Sequence, residues 1–334
     1  MDSFLHRYVY ANNTVASNYP RTYPRKNYFQ DKKKTIKTEE RSIDIMPKQR
    51  SVKNVVKSRS TIEGAGVHLK RAIGFGDPYE YDPFLLLDDF SSDDPDKYIK
   101  GFPWHPHRGI ETITYILKGQ VEHKDSIGNS GVIGPGDIQW MTAGSGIYHQ
   151  EMPQGDENGI LQGFQLWANL PSAYKMMKPR YRDVKQHQIP EIKKSNGILI
   201  KVIAGQCEDV TGPVKDVVTS PEYLDIYIPA GLSYRQEISP DKNAFVFVVD
   251  GSAVFCYEPE SSGSGEQIGN GNVVLFGEGD YITITTGKSS VRVLLVSGVP
   301  ISEQIAWHGP IVMNTEEELE TAYEELDNGT FIKG

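Results

Sequence analysis

The chain has 334 residues, 38% hydrophobic and 24% charged, with a formal net charge of −9. That length holds one large or two ordinary domains with their own cores, and no run approaches the ~20 apolar residues of a membrane-spanning helix. Two cysteines, Cys207 and Cys256, exclude a disulfide scaffold and a cysteine-built metal cluster.

The charge is segregated. Residues 1–71 carry 16 Lys and Arg against 6 Asp and Glu, so the remainder of the chain carries −19. An acidic body lacks the clustered cations that neutralise phosphates, so direct sequence-specific DNA binding is not expected. Residues 1–50 read as a solvated, disordered basic extension. No apolar secretory core is present in residues 1–30, and acids are scarce there, which leaves a targeting role open.

From about residue 52 the chain breaks into short β-branched and aromatic runs separated by turn residues. Residues 109–117, 121–123, 132–133 and 138–141 are predicted strands, and so are 225–228, 244–249, 253–257, 273–276, 281–285 and 291–296. Strands this short and frequent predict an all-β fold of sandwich or barrel type.

An internal repeat divides these runs. Thr114-Tyr115-Ile116-Leu117-Lys118-Gly119 parallels Val246-Phe247-Val248-Val249-Asp250-Gly251. Each is followed by a hairpin and a turn, Gly134-Pro135-Gly136-Asp137 in one half and Gly277-Glu278-Gly279-Asp280 in the other. Two copies of one small barrel account for this. The first spans residues 51–172, a linker 173–195, and the second 196–334. The last segment is helical over 315–328: Thr315 and Glu318 form a capping box, Leu319, Ala322, Tyr323 and Leu326 keep helical spacing, and Asn328-Gly329 ends the run.

The chemistry gathers in the first half. His105 and His107 flank Pro106, and His149 and Glu151 flank Gln150. On a strand, residues i and i+2 share a face, so each pair points one way. Imidazoles on an inner barrel face are costly unless their nitrogens are satisfied, and a divalent metal satisfies them. The mixed nitrogen and oxygen donor set suits Fe, Ni, Cu, Mn, Zn or Co. Glu111, six residues after His105, has the same parity and competes with Glu151 as a ligand, or orients a histidine through its other nitrogen. His123 falls in a hairpin, either at the surface or behind a ligand.

Asp82-Pro83-Phe84-Leu85-Leu86-Leu87-Asp88-Asp89-Phe90, residues 101–114, residues 135–153 (PGDIQWMTAGSGIYHQEMP), residues 163–170 and residues 309–315 (GPIVMNT) together resemble the pirin family of the cupin superfamily. The likeness runs from about residue 60 to 330. It implies two cupin barrels (double-stranded β-helix, or jelly-roll) packed face to face, with one metal, usually iron, in the first. Carried over residue by residue, the ligands would be His105, His107, His149 and Glu151. Ser145 departs from the pattern, which leads one to expect a long residue such as arginine there.

The repeat tests the second half. Positions matching His105 and His107 hold Glu237 and Ser239, and those matching His149 and Glu151 hold Arg292 and Leu294. With no imidazole among them, the second barrel is expected to be metal-free.

The resemblance implies a quercetin 2,3-dioxygenase-like activity: oxygen-dependent cleavage of a flavonol-like substrate with release of carbon monoxide. Glu151 would be the base, and Phe102, Trp140 and Met141 would line the pocket or pack the core. It also implies an alternative, an iron- and redox-dependent nuclear cofactor that binds a transcription regulator without catalysis. A monomer in nucleus and cytoplasm is expected, the alternative being a mitochondrion or plastid reached through residues 1–45.

Overall fold

The computed structural model describes residues 22–23, 46–257 and 265–333. Residues 1–21 and 24–45, to which targeting was ascribed, lie outside them. The described chain is β-rich and builds two jelly rolls. In the first half, a seven-stranded antiparallel sheet runs in the order Arg180–Val184, Ile138–Thr142, Ile110–Lys118, Gln162–Asn169, Phe84–Asp89, Val67–Ile73, Arg59–Glu63. A four-stranded sheet faces it, in the order Phe102–His107, Ile147–Gln154, Gln120–Asp125, Ser130–Ile133.

The strand Ile110–Lys118 shows why the halves pack as they do. Ile113 and Tyr115 join Trp140, Phe164 and Leu166 in a core cluster shared with Tyr223, Phe245, Phe247, Leu294 and Val296 of the second half. Alternate residues Thr112 and Thr114 face the interior of the first jelly roll, where Thr114 reaches Glu151. The apolar set therefore welds the two halves and the polar set lines a chamber. A buried polar bridge crosses the weld: Tyr115 donates to Asp225 Oδ2 at 2.6 Å, and Arg292 grips the same carboxylate at 2.9 and 2.6 Å. The second-half positions aligned with His149 and Glu151, Arg292 and Leu294, thus serve the weld.

The division into residue blocks is not the division in space. Val52–Lys57, assigned above to the first barrel, pairs with Asn272–Phe276 at the edge of the second half's sheet. The buried Arg50 holds it there by donating to the carbonyls of Ser239, Lys242 and Gly277. Residues 173–195 are not a free linker: Arg180–Val184 pairs along Ile138–Thr142. Within 196–334, the tail returns to the first half. Its capped helix Glu316–Asp327 keeps the predicted Thr315–Glu318 box, and Phe331 lies under the Arg108 guanidinium at 4.1 Å. Arg108 also donates to Glu325 Oε2 at 2.7 Å and to the Phe331 carbonyl at 2.8 Å. Such pairings join residues more than 200 apart, so no local pattern announces them.

Candidate metal centre

The Phe102–His107 and Ile147–Gln154 strands are antiparallel neighbours with His149 opposite His105. The two-residue parity read from the sequence therefore brings the three histidines into one cluster, which does not include Glu151. The ligand-capable atoms of His105, His107 and His149 lie within 4.8 Å of one another, and no other such group of three occurs among the described residues.

Each outer nitrogen is engaged. His105 Nδ1 lies 2.8 Å from the Pro103 carbonyl, and His107 Nδ1 lies 3.1 Å from the Pro310 carbonyl. A carbonyl only accepts, so both Nδ1 atoms carry the proton and both neutral rings present a bare Nε2. Those two Nε2 atoms face each other at 3.1 Å, and His149 Nε2 is buried without a partner. The two bare Nε2 atoms of His105 and His107 thus face each other beside the unpartnered His149 Nε2, which is repulsive unless a cation is shared among them.

An extra proton is disfavoured as that cation. Burial pushes His105 down to about 4 and holds His107 and His149 well below the usual imidazole range, with the neighbouring imidazoles adding to the effect. A divalent metal fits this donor set: the Nδ1 protons of His105 and His107 are tied outward to carbonyls, while His149 Nδ1 faces His123 Nδ1 at 3.5 Å.

Glu151 shares the strand of His149 but sits past a register shift between the two. Its Oε1 lies 3.0 Å from the Thr114 hydroxyl, which also lies 2.9 Å from Gln165 Oε1. Burial raises its carboxyl, opposed by His123 and by hydrogen bonds from Thr114 and Gln165.

Glu111 is a correction. Its Oε1 accepts from Thr142 at 2.6 Å and lies 3.9 Å from Arg180, on the sheet face of Ile113 and Trp140 that meets the second half. Parity counted from His105 fails because the chain turns at Gly109, at φ +78°, and crosses from the small sheet to the large one. Trp140, expected at the pocket, lies in the shared core between the halves. Phe102 packs on Val67, Leu69 and Phe90. Met141 is opposite Thr112, on the chamber side, within an apolar cluster that includes Leu86 and Ile147.

His123 is not at the surface: it is fully buried, with Nδ1 3.5 Å from His149 Nδ1 and a ring stacked on Tyr181 at 4.7 Å. Four residues not expected at the site also face the chamber: Trp167, whose ring meets His107 edge-on at 5.0 Å, and Thr114, Gln165 and Gln139. Their signal was present as polar residues alternating with apolar ones along buried strands. Ser145 sends its carbonyl to Arg108 Nε at 2.8 Å.

Known proteins resolve the identity of this arrangement. A family model described as pirin matches residues 66–168, and one described as pirin C-terminal cupin domain matches residues 223–332. The chain belongs to the pirin family. A pirin-like protein from Caulobacter vibrioides is 42% identical over 283 residues, covering 84% of this chain and 99% of its own. A crystal structure titled quercetin 2,3-dioxygenase, from Acinetobacter baumannii, aligns with a TM-score of 0.76 at 28% identity, covering 85% of this chain and 99% of the other. A bacterial pirin from Escherichia coli, solved in complex with nickel(II), shares the fold at a TM-score of 0.56 and 21% identity, over 74% and 98% of the two chains. As a pirin, the chain carries its cupin metal-binding site, with the histidine triad, in the first half.

Proposed function

We propose that this pirin is an iron-dependent dioxygenase of quercetin 2,3-dioxygenase type, which opens a flavonol-like substrate with dioxygen and releases one ring carbon as carbon monoxide. The observation that carries the reading is the convergence of three histidine side chains inside the first jelly roll, with the buried Glu151 carboxylate two residues along the strand from His149. The relative of known structure titled quercetin 2,3-dioxygenase supports it.

His105, His107 and His149 would hold the metal, with Glu151 as the fourth ligand. Bound there, Fe(II) would supply a Lewis acid for a substrate oxygen and one-electron chemistry with dioxygen. The chain does the rest. Glu151, buried and held at Oε1 by the Thr114 hydroxyl, would accept the flavonol hydroxyl proton. Thr114 and Gln165 fix the direction of that carboxylate. Trp167 and Tyr181 present aromatic surface on the chamber side, suited to a planar ligand, and the barrel wall limits competing reaction with water.

The test is anaerobic loading with Fe(II), then quercetin and air, with carbon monoxide and flavonol absorbance followed. Turnover that disappears in His105→Ala supports the proposal. No turnover in the wild type, or equal turnover in the variant, removes it.

A further inference from the structure

Behind the triad lies a chain of buried polar groups that the proposed chemistry does not use. Asp125, opposite His149 in the neighbouring strand, has a fully buried carboxylate. Its Oδ1 accepts from the backbone N–H of Ile127 at 3.0 Å and of Asn129 at 2.9 Å, and its Oδ2 accepts from Asn129 Nδ2 at 2.8 Å. Three donors define this carboxylate as an acceptor. His123 Nε2 faces the same Oδ2 at 3.4 Å, so that nitrogen bears the ring proton.

The consequence passes along the row. A neutral His123 with its proton on Nε2 has a bare Nδ1. That bare Nδ1 faces His149 Nδ1 at 3.5 Å, so His149 is the partner that must supply a proton there. Its remaining nitrogen, Nε2, is then the bare one, and it is the buried atom without a partner in the triad. Both contacts are long for hydrogen bonds; their polarity, rather than their strength, selects the tautomer. The other two histidines receive the same instruction from backbone carbonyls. His149 alone receives it from side chains.

We infer that Asp125 and His123 are positioning residues that fix His149 in its Nδ1-protonated tautomer and so present Nε2 to the metal. The inference rests on the triad being a metal site but not on the reaction performed there. Tyr181, stacked on His123 at an interplanar angle of 25°, limits rotation of that imidazole.

Two measurements test it, neither of which needs turnover. Nitrogen-15 NMR of the metal-free protein reads the tautomer of each imidazole, and His149 is expected to carry its proton on Nδ1. A proton on His149 Nε2 in the wild type overturns the inference. Competition titration with cobalt(II) gives affinity, and the visible cobalt spectrum reports the ligand set. His123→Phe keeps a ring against Tyr181 and removes the acceptor; it is expected to bind cobalt about 10- to 100-fold more weakly, with a mixed His149 tautomer. His123→Gln restores a carbonyl acceptor and is expected to recover affinity to within a few-fold, which a packing defect would not explain. Wild-type affinity in His123→Phe, or no recovery in a folded His123→Gln, sinks the relay while leaving the metal site intact. Failure of the wild type to bind cobalt removes the metal reading beneath it.

Discussion

His107 Nδ1 donates to the Pro310 carbonyl at 3.1 Å, across 203 residues of chain. A ligand of the first jelly roll is therefore aimed by the tail that follows the second. The tail is held by main-chain contacts, with Val312 N–H donating to the Arg108 carbonyl at 3.1 Å, and by Phe331, buried with Tyr148 and Leu319. Phe331→Ala is expected to cost about 3 kcal/mol of stability and to weaken metal binding roughly tenfold as the Pro310 carbonyl loses its place. Urea denaturation and a metal competition titration check the two effects. A destabilised variant with unaltered affinity would show that the tail supports the fold but not the ligand.

The two buried glutamates should separate cleanly. Glu151 lies on the strand of His149, inside the chamber, while Glu111 is tied to Thr142 on the opposite sheet face. Glu151→Gln is expected to reduce iron affinity about 10-fold or more and to abolish most turnover. Glu111→Gln should leave metal content within about twofold, since a residue beyond reach of the ion has no direct term to lose. Elemental analysis of the two purified variants decides it. The reverse order would exchange their roles.

The fold was readable where the information is local. Period-two patterns marked the strands, and the spacing of His105 with His107 and of His149 with Glu151 marked the chemistry, because alternation is a property of a few neighbouring residues. Glu111 misled because parity was counted through the Gly109 turn, where the chain changes sheets. The exchange of Val52–Lys57 into the second half, and the reach of Pro310 to His107, depend on pairing between distant segments. Nothing at residue 55 or 310 specifies a partner by itself. His123 was left between two readings because a histidine in a hairpin has the same local sequence whether it faces solvent or a ligand.

Gly109 makes the turn between the histidine strand and the large sheet, and its backbone lies in the left-handed region at φ +78°. A Cβ there would stand 1.9 Å from the Val312 carbonyl oxygen. Gly109→Ala combines backbone strain with a clash against main chain that cannot rotate away. A loss of at least about 2 kcal/mol is expected, which for a chain of this size lowers Tm by several degrees. Metal should be lost in parallel, since His107 and Pro310 flank the displaced contact. Calorimetry with and without added metal is the measurement, and an unchanged Tm would contradict the close approach.

Lys175 gives the molecule a pH dependence of unusual sign. Its buried Nζ donates to the Gly109 carbonyl at 3.0 Å, Asn169 Oδ1 at 2.7 Å and the Val312 carbonyl at 3.0 Å. Burial lowers it to about 7, with Glu303 and Glu318 opposing the shift. The unfolded chain keeps an ordinary lysine near 10.4. Between those values the unfolded state binds more protons, so the free energy of unfolding rises with pH. Below about pH 7 both states are protonated and the cost of the buried cation is fully expressed. Wild type is therefore expected to gain stability relative to Lys175→Met between pH 7 and 9, by about 1 kcal/mol per pH unit. Substitution removes one donor from each of three acceptors and lowers the variant's baseline, so the diagnostic quantity is the difference in slope. Urea unfolding of both proteins across that range measures it. Parallel lines would mean that Lys175 keeps its proton throughout, and that the three acceptors stabilise the ammonium enough to offset its burial.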